Sequence, residues 1–293
     1  MSVLPLPAPE APTCTHPRHL AAARRAGAGW LRFERVDGAS ALVGAHAISP
    51  LQILSPRARG PSAWAVLASH GGGLVSGDDV AIDVAVGAGA VALVATQAET
   101  KVYRAGEAGG ATSRLAARVA PGGVLAVLPE PVSPFAGARH EARARFDLDP
   151  GASAAAVDAV VAGRAARGER WAFLRHASRT EVRVGGRLVL SDALVLDPAH
   201  GEPLAARLGR FEALALAFAI GPAFEEGARA LLAHVAAEPV DRGAAALVAA
   251  SPLPGGALVR CAAASAEALA RALRAALAFV GAALGDDPFA RRF

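Results

Sequence analysis

Few residues in this chain have a type and spacing that could do chemistry, and the most conspicuous lie in SHGGGLVSGDD, residues 69–79. His70 beside Gly71, Gly72 and Gly73 has the look of an esterase oxyanion loop. Such a loop works with a nucleophile elbow GxSxG on a strand, turn and helix, and the chain contains no GxSxG. A phosphate-cradling loop would read GxxxxGK[ST], also absent, and a dinucleotide fingerprint needs a helix after its glycines. The residues after Gly77 instead alternate as a strand. The glycines therefore read as a tight positive-φ turn where backbones pack closely. A hydrolase or transferase using the His70-Gly71-Gly72-Gly73 loop stays open as the alternative, and it would need a nucleophile assembled in space.

Metal-ligand spacing is equally sparse. The eight histidines form no HxH or HExxH, so no catalytic metal centre can be read off. Cys14, His16 and His19 in CTHPRH could take a soft or borderline ion, but a fourth ligand is not evident. The pairs Asp78–Asp79, Glu225–Glu226 and Asp286–Asp287 are of the kind met in solvated turns and helix starts. Asp158 in AAAVDAVVAGR and Asp192 in LVLSDALVL differ, each being an acid inside an apolar, strand-like run. Such an acid points either outward from a half-buried sheet or into a polar interior, and the second placement makes it a functional candidate. The stretch TQAETKVYRA, residues 96–105, holds the only lysine, Lys101, and the only tyrosine, Tyr103. Against an arginine background a lone lysine hints at a site suited to an ammonium, or at a codon that has not drifted.

Around these residues the chain is apolar. It has 293 residues, 53% hydrophobic and 19% charged, with a mean hydropathy of +0.35. That is enough to bury a large core, and it implies that partners cover part of the surface. The pI near 10.0 invites a nucleic-acid reading, but the net charge is only +4 and the arginines are scattered without a basic run. Two cysteines make no disulfide framework. Pro5, Pro7, Pro9 and Pro12 break any secretory apolar region, and the longest apolar run, 213–224, contains Gly221 and Pro222. The expectation is a soluble, cytoplasmic protein that binds neither nucleic acid nor membrane.

The elements that must position the candidates are mostly strands. DVAIDVAV (79–86) sets Val80, Ile82, Val84 and Val86 on one face, HEARARFDL (140–148) alternates likewise, and RTEVRVGGRLVLSD reads as two strands around Gly185-Gly186. PGG, GAG, DPG and GG punctuate short strands over about 170 residues. Helix is expected late: 222–238, with Glu225 and Glu226 in its first turns, and 265–284, with Ser265 as N-cap and Gly285 as stop. Two strands around a turn lie between them. The fold class is β-rich α+β, a large multi-stranded scaffold (β-helix-like or stacked sheets) with two or so helices in the C-terminal third. No internal repeat is evident. Residues 1–28 read as a disordered Pro/Ala/Arg-rich tail, 29–285 as one β-rich domain and 286–293 as a C-terminal tail.

Read in order, GGGLVSGDDVAIDVAVGAGAVALVATQAETKVYRA, LPEPVSPFAGARHEARARFDLDPGA, DAVVAGRAARGERWAF and the late SPLPGGALVRCAAASAEALARALRAAL resemble the urease accessory protein UreD (UreH) family over residues 29–284. The residues that carry the resemblance are Gly72, Gly73 and Gly77, then Thr96, Gln97, Thr100, Lys101, Tyr103 and Arg104, then Pro134, Phe135, Gly137 and Arg139, then Gly163 and Arg164. Ser76 and Ser133 depart from the usual pattern. The resemblance implies a β-rich, non-enzymatic scaffold that binds a UreF-like helical accessory protein. Through it the scaffold engages a UreG-like GTPase, and it docks on urease apoprotein. It also implies an internal passage that hands nickel to urease, with no tightly bound cofactor. A passage wants spaced, weak ligands rather than a closed cage. By resemblance Asp78, Asp158 and Asp192 would line it, with Glu169 of GRAARGE as a fourth.

Overall fold

The computed structural model describes residues 25–57, 60–199 and 201–290. The Cys14, His16 and His19 trio lies outside the described residues. In chain order the strands are β1 (Ala28–Val36), β2 (Ala39–Ala47), β3 (Leu51–Leu54), β4 (Ala63–Ser69), β5 (Asp79–Val86) and β6 (Val91–Thr96). Next come β7 (Thr100–Val102), β8 (Ala111–Val119), β9 (Val124–Leu128), β10 (Val132–Pro134), β11 (Arg139–Leu148) and β12 (Ser153–Val161). The last are β13 (Arg175–Val184), β14 (Arg187–Leu196), β15 (Ala213–Ile220), β16 (Ala246–Leu253) and β17 (Gly256–Ala263).

Two stacked sheets result. One runs β14-β13-β11-β8-β5-β1-β2, the other β16-β17-β15-β12-β9-β6-β4-β3. From β4 to β13 the chain passes back and forth between them. Each new strand lies parallel to its predecessor in the same sheet, so β1, β5, β8, β11 and β13 form one parallel series and β4, β6, β9 and β12 the other. This is a β-helix-like coil. Antiparallel hairpins finish it: β1–β2 and β3–β4 at one end, β13–β14 and β15–β17–β16 at the other. Asp79 pairs with Thr112, Thr112 with Glu141 and Glu141 with Ala177, steps of 33, 29 and 36 residues. Unequal coils leave no fixed period in the sequence, which is why no repeat is legible there.

The period-two pattern sets the core. Ile82, Val84 and Val86 of β5 face Ala92 and Val94 of β6 across the sandwich, with Phe146 and Phe218 meeting edge-to-face at 5.0 Å between ring centroids. The opposite face of the second sheet is also apolar, because helices cover it. These are α2 (Glu225–Ala237), α3 (Ala266–Ala276) and α4 (Val280–Leu284), preceded by the short α1 (Leu204–Leu208). Leu231, Leu269, Leu273 and Val280 pack there on Ala215, Ala217 and Val259. Fully burying one such leucine is worth roughly 1.5–3 kcal/mol. Ser265 caps α3, its hydroxyl accepting from the Ala268 N–H at 3.1 Å, and Gly285 ends α4 at φ 64°.

The single helix expected over 265–284 is two, interrupted at 277–279. The break swings Phe279 onto α2 beside Gly227, where an added Cβ would collide with the ring. Similarly, the helix expected from residue 222 begins at Glu225, after a turn in which the Phe224 N–H reaches the Gly221 carbonyl. No helix among the described residues is long and apolar enough to cross a membrane.

Candidate functional site

The connections between the two sheets build a narrow third wall, and most of the singled-out motif residues lie on it. β7 and β10 run parallel, and Leu74 adds a bridge to Val102. The glycine run before Leu74 turns with φ 83° at Gly71 and 72° at Gly72, and then brings Gly73 against β7. A Cβ on Gly73 would lie 2.6 Å from the Lys101 carbonyl oxygen and 2.8 Å from the Tyr103 ring. The Leu74 N–H donates to the Lys101 carbonyl at 2.8 Å, and the Tyr103 N–H donates to the Leu74 carbonyl at 2.9 Å. His70 stands exposed on this turn. The glycine loop is thus a backbone-packing device that locks Lys101 and Tyr103 into the wall.

Further along, the Tyr103 ring meets Phe135 edge-to-face at 5.4 Å, and the Arg164 guanidinium lies 4.4 Å from the Phe135 ring centre. Arg164 grips Glu169 through two hydrogen bonds, at 2.8 and 2.5 Å. Those bonds, with one from the Ala136 N–H, hold the Glu169 carboxyl below the usual carboxylate range. Gly163 sits at φ 89°, and a Cβ there would lie 2.6 Å from the Pro134 carbonyl oxygen. Gly137 packs on the Arg104 side chain, Gly110 on the Arg139 backbone, and the Gly77 N–H donates to the Gly110 carbonyl. At the wall's foot Thr96 accepts from the Glu130 N–H at 2.8 Å, the Gln97 N–H donates to the Leu67 carbonyl, and the Thr100 N–H donates to the Pro131 carbonyl.

Behind this wall, between the sheets, lies a cavity of about 570 Å³. Its lining runs from the exposed Gln97, Glu99 and Lys101, with Glu130, to Asp158, Ser178 and Thr180 inside. Although Glu99 stands at the surface, partial desolvation at the cavity mouth raises its pKa, with the Glu130 charge adding to it and Lys101 opposing it. Asp158 settles its own ambiguity. It follows Ala154 and Ala156 on the inner face of β12, and what accessibility it keeps opens onto the cavity. Burial raises its pKa; the bond from Ser178 pulls the other way, and the nearby Asp192 charge raises it further.

Asp192 lies at the seam. From the edge strand β14 it bridges to Arg260 of β17, the strand next to the edge of the other sheet, and so ties the two sheets together. Asp158 and Asp192 are thus brought together, though among the four acids only Asp158 lines the cavity. Asp78 belongs to the turn before β5, where its carboxylate accepts from the Val75 N–H at 2.8 Å. Glu169 belongs to the Arg164 clamp.

The alternation pattern held two residues whose placement was not read from it. His140 shares the phase of Phe146 and Leu148, and His176 that of Val182, so both point inward from neighbouring strands in direct register. They are 2% and 0% exposed. Their Nδ1 atoms are 3.3 Å apart, His140 Nε2 is 2.9 Å from the Ser113 hydroxyl, and His176 Nε2 has no partner. Burial pulls the His140 pKa down to about 4 and that of His176 to about 3, so both are neutral near pH 7. The readable signal was a histidine on the apolar phase of a strand.

This geometry can be set beside known proteins. The family model of the UreD urease accessory protein matches residues 25–293. The urease accessory protein UreD of Anaeromyxobacter sp. (strain Fw109-5) is 54% identical over 268 residues, 91% of this chain and 90% of that protein. The chain belongs to the UreD family. UreD of Sorangium cellulosum (strain So ce56) is 49% identical over 271 residues, covering 92% of this chain and 86% of its own. Urease accessory protein D of Oryza sativa subsp. indica is 33% identical over 205 residues, 69% of this chain and 67% of its own. Membership in the UreD family supports a role in urease maturation, and the third wall is where this chain keeps the motifs by which it resembles that family.

Proposed function

We propose that the chain is a non-catalytic maturation scaffold that docks on urease apoprotein in the cytoplasm and helps pass nickel to the urease active site. It binds a UreF-like helical protein, and through that protein a UreG-like GTPase. The observation that carries the nickel part is the cavity between the sheets, with surface residues Gln97–Lys101 at one end and the enclosed Asp158 at the other. One carboxylate with hydroxyls from Ser178 and Thr180 offers a cation oxygen donors without caging it. No group of three or more His, Cys, Asp or Glu side chains that could hold a metal is found among the described residues, which suits passage better than storage. Nickel is cargo here, and no tightly held cofactor is required.

Co-expression with the UreF-like and urease subunits, followed by size-exclusion chromatography with light scattering, tests the scaffold role. A co-eluting assembly is expected, and a monomer that ignores both partners would refute it. For the route, Asp158→Asn should leave assembly intact and lower the nickel content of the matured urease. Wild-type nickel loading in that assembly would remove Asp158 from the route.

A further inference from the structure

We infer that the outer face of the first sheet docks an acid-rich segment of a partner protein, seated across Arg114, Arg143 and Arg179. This rests on the reading of the chain as an assembly scaffold. The three arginines stand in direct register on the neighbouring parallel strands β8, β11 and β13, between Ala81 of β5 and Ala193 of β14. Register sets their Cα atoms about 4.8 Å apart, and like charges side by side across strands cost stability. None of the three finds its carboxylate beside it in the row. Arg143 and Arg179 lean along their own strands on Glu141 and Glu181, at 2.6 and 2.9 Å, and Arg114 reaches Asp79 at 2.7 Å. The three arginine side chains are 67%, 56% and 45% exposed in that order, so these bridges are weak and can be exchanged for a partner's carboxylates. A face kept only for solubility would set opposite charges across the strands.

Shape agrees with charge. A groove of about 680 Å³ lies on this face, with the short side chains of Ala116, Ala177 and Ala193 between the arginines. Its charged lining is Arg114, Arg143, Arg145, Arg175 and Arg179 against Asp83, Glu141 and Glu181, a positive surplus. The interspersed carboxylates disfavour a polyphosphate backbone or an anionic lipid surface, whose charge is of one sign. A protein segment with an acidic surplus can answer both signs. Val195, 48% exposed on the β14 side, offers that segment an apolar contact. The chain itself has no acidic segment to lay there: a second copy carries a net charge of +4, and the residues before Arg25 hold Arg18 and Arg24 against Glu10. Sheets of parallel strands are ordinarily covered on both faces. Helices α2, α3 and α4 cover the outer face of the second sheet, whereas Arg114, Ala116, Arg143, Arg179 and Ala193 of the first are exposed among the described residues.

The test uses the full chain co-expressed with the UreF-like and urease subunits, its assembly followed by light scattering over a salt series. Arg114→Gln/Arg143→Gln/Arg179→Gln should weaken assembly about tenfold and flatten its salt dependence. A triple variant that is folded by circular dichroism yet keeps the parent's affinity and salt dependence would overturn the inference and leave the scaffold reading standing. Arg143→Lys is a second, milder variant that answers the question even if the triple variant does not fold. Lys101 is the only native lysine, so carbodiimide coupling and peptide mapping identify an amide formed from position 143. An amide to an aspartate or glutamate of a partner subunit is expected, and its absence from an intact assembly would overturn the inference. Binding of RNA or of anionic vesicles that the triple variant loses would give the face another occupant and would also overturn it. No assembly by the parent would refute the scaffold reading, and the inference with it.

Discussion

Mild acid should destabilise this fold through His140 and His176. Both are buried as neutral rings, with pKa values drawn down to about 4 and about 3, while the unfolded chain protonates them at about 6.5. The unfolded state then binds more protons between those values, so stability falls as pH drops. Between about pH 7 and pH 5 the unfolded imidazoles gain roughly 0.7 of a proton each and the folded ones almost none. The linkage integral gives about 2 kcal/mol per histidine, or about 4 kcal/mol for the pair. Asp158 works in the opposite sense. Its raised pKa means that the folded state takes up a proton first, which adds stability as pH falls. The clean comparison is therefore the wild type against the double variant His140→Gln/His176→Gln, both keeping Asp158. Urea midpoints followed by circular dichroism across that range should fall far more steeply for the wild type, by about 4 kcal/mol in extrapolated stability. Parallel pH dependences in the two proteins would refute the buried, neutral pair.

Two further substitutions separate the architecture from the route. Gly73→Ala should cost about 1–3 kcal/mol by forcing Leu74 off Lys101 and Tyr103, and hydrogen exchange should show the loss concentrated in β7 and β10; wild-type protection there would count against the packing argument. Ala142→Leu, on the inner row between Ser113 and Ser178, should fill part of the cavity and shift stability by only about 1 kcal/mol in either direction. Assembly with the partners should persist while nickel loading of urease drops, and unchanged loading would mean that the ion goes elsewhere.

How much of this was legible in the sequence depended on whether the signal was local. DVAIDVAV announced its inner face, because side chains alternate across a strand whatever its neighbours are. Gly185-Gly186 announced the β13–β14 hairpin, since its turn sits at φ 56° and 81°, which glycine adopts without strain. Ser265 marked the start of α3 for the same local reason. The interruption at 277–279 was hidden, because its cause is a contact between Phe279 and a glycine on another helix. Lys101 and Tyr103 drew notice by rarity, but their fit against Gly73 depends on a bridge between coils. Asp158 was ambiguous because an acid in an apolar strand can face either way, and only the second sheet decides.

The coil also explains why a cavity exists at all. Parallel strands in register turn residues some thirty positions apart into neighbours of equal phase. Where each coil offers a large apolar residue, as at Phe146 and Phe218, the interior fills. Where successive coils offer Ser113, Ala142 and Ser178, the small side chains leave space that is bridged only where Ser178 bonds Asp158 of the facing sheet. Opposite that row the second sheet supplies Ala156 and Asp158, also short. The gap arises from small side chains recurring at one level of the stack, so it is a property of register and not of any loop. His140 and His176 occupy the adjacent level, which places the only buried histidine pair among the described residues one level from Ser178 and its partner Asp158. A hydrophobic core built simply for stability would have carried leucine at those positions, at lower desolvation cost. Polar residues kept in so expensive a place, on two adjacent levels of the stack, fit the cation route proposed above.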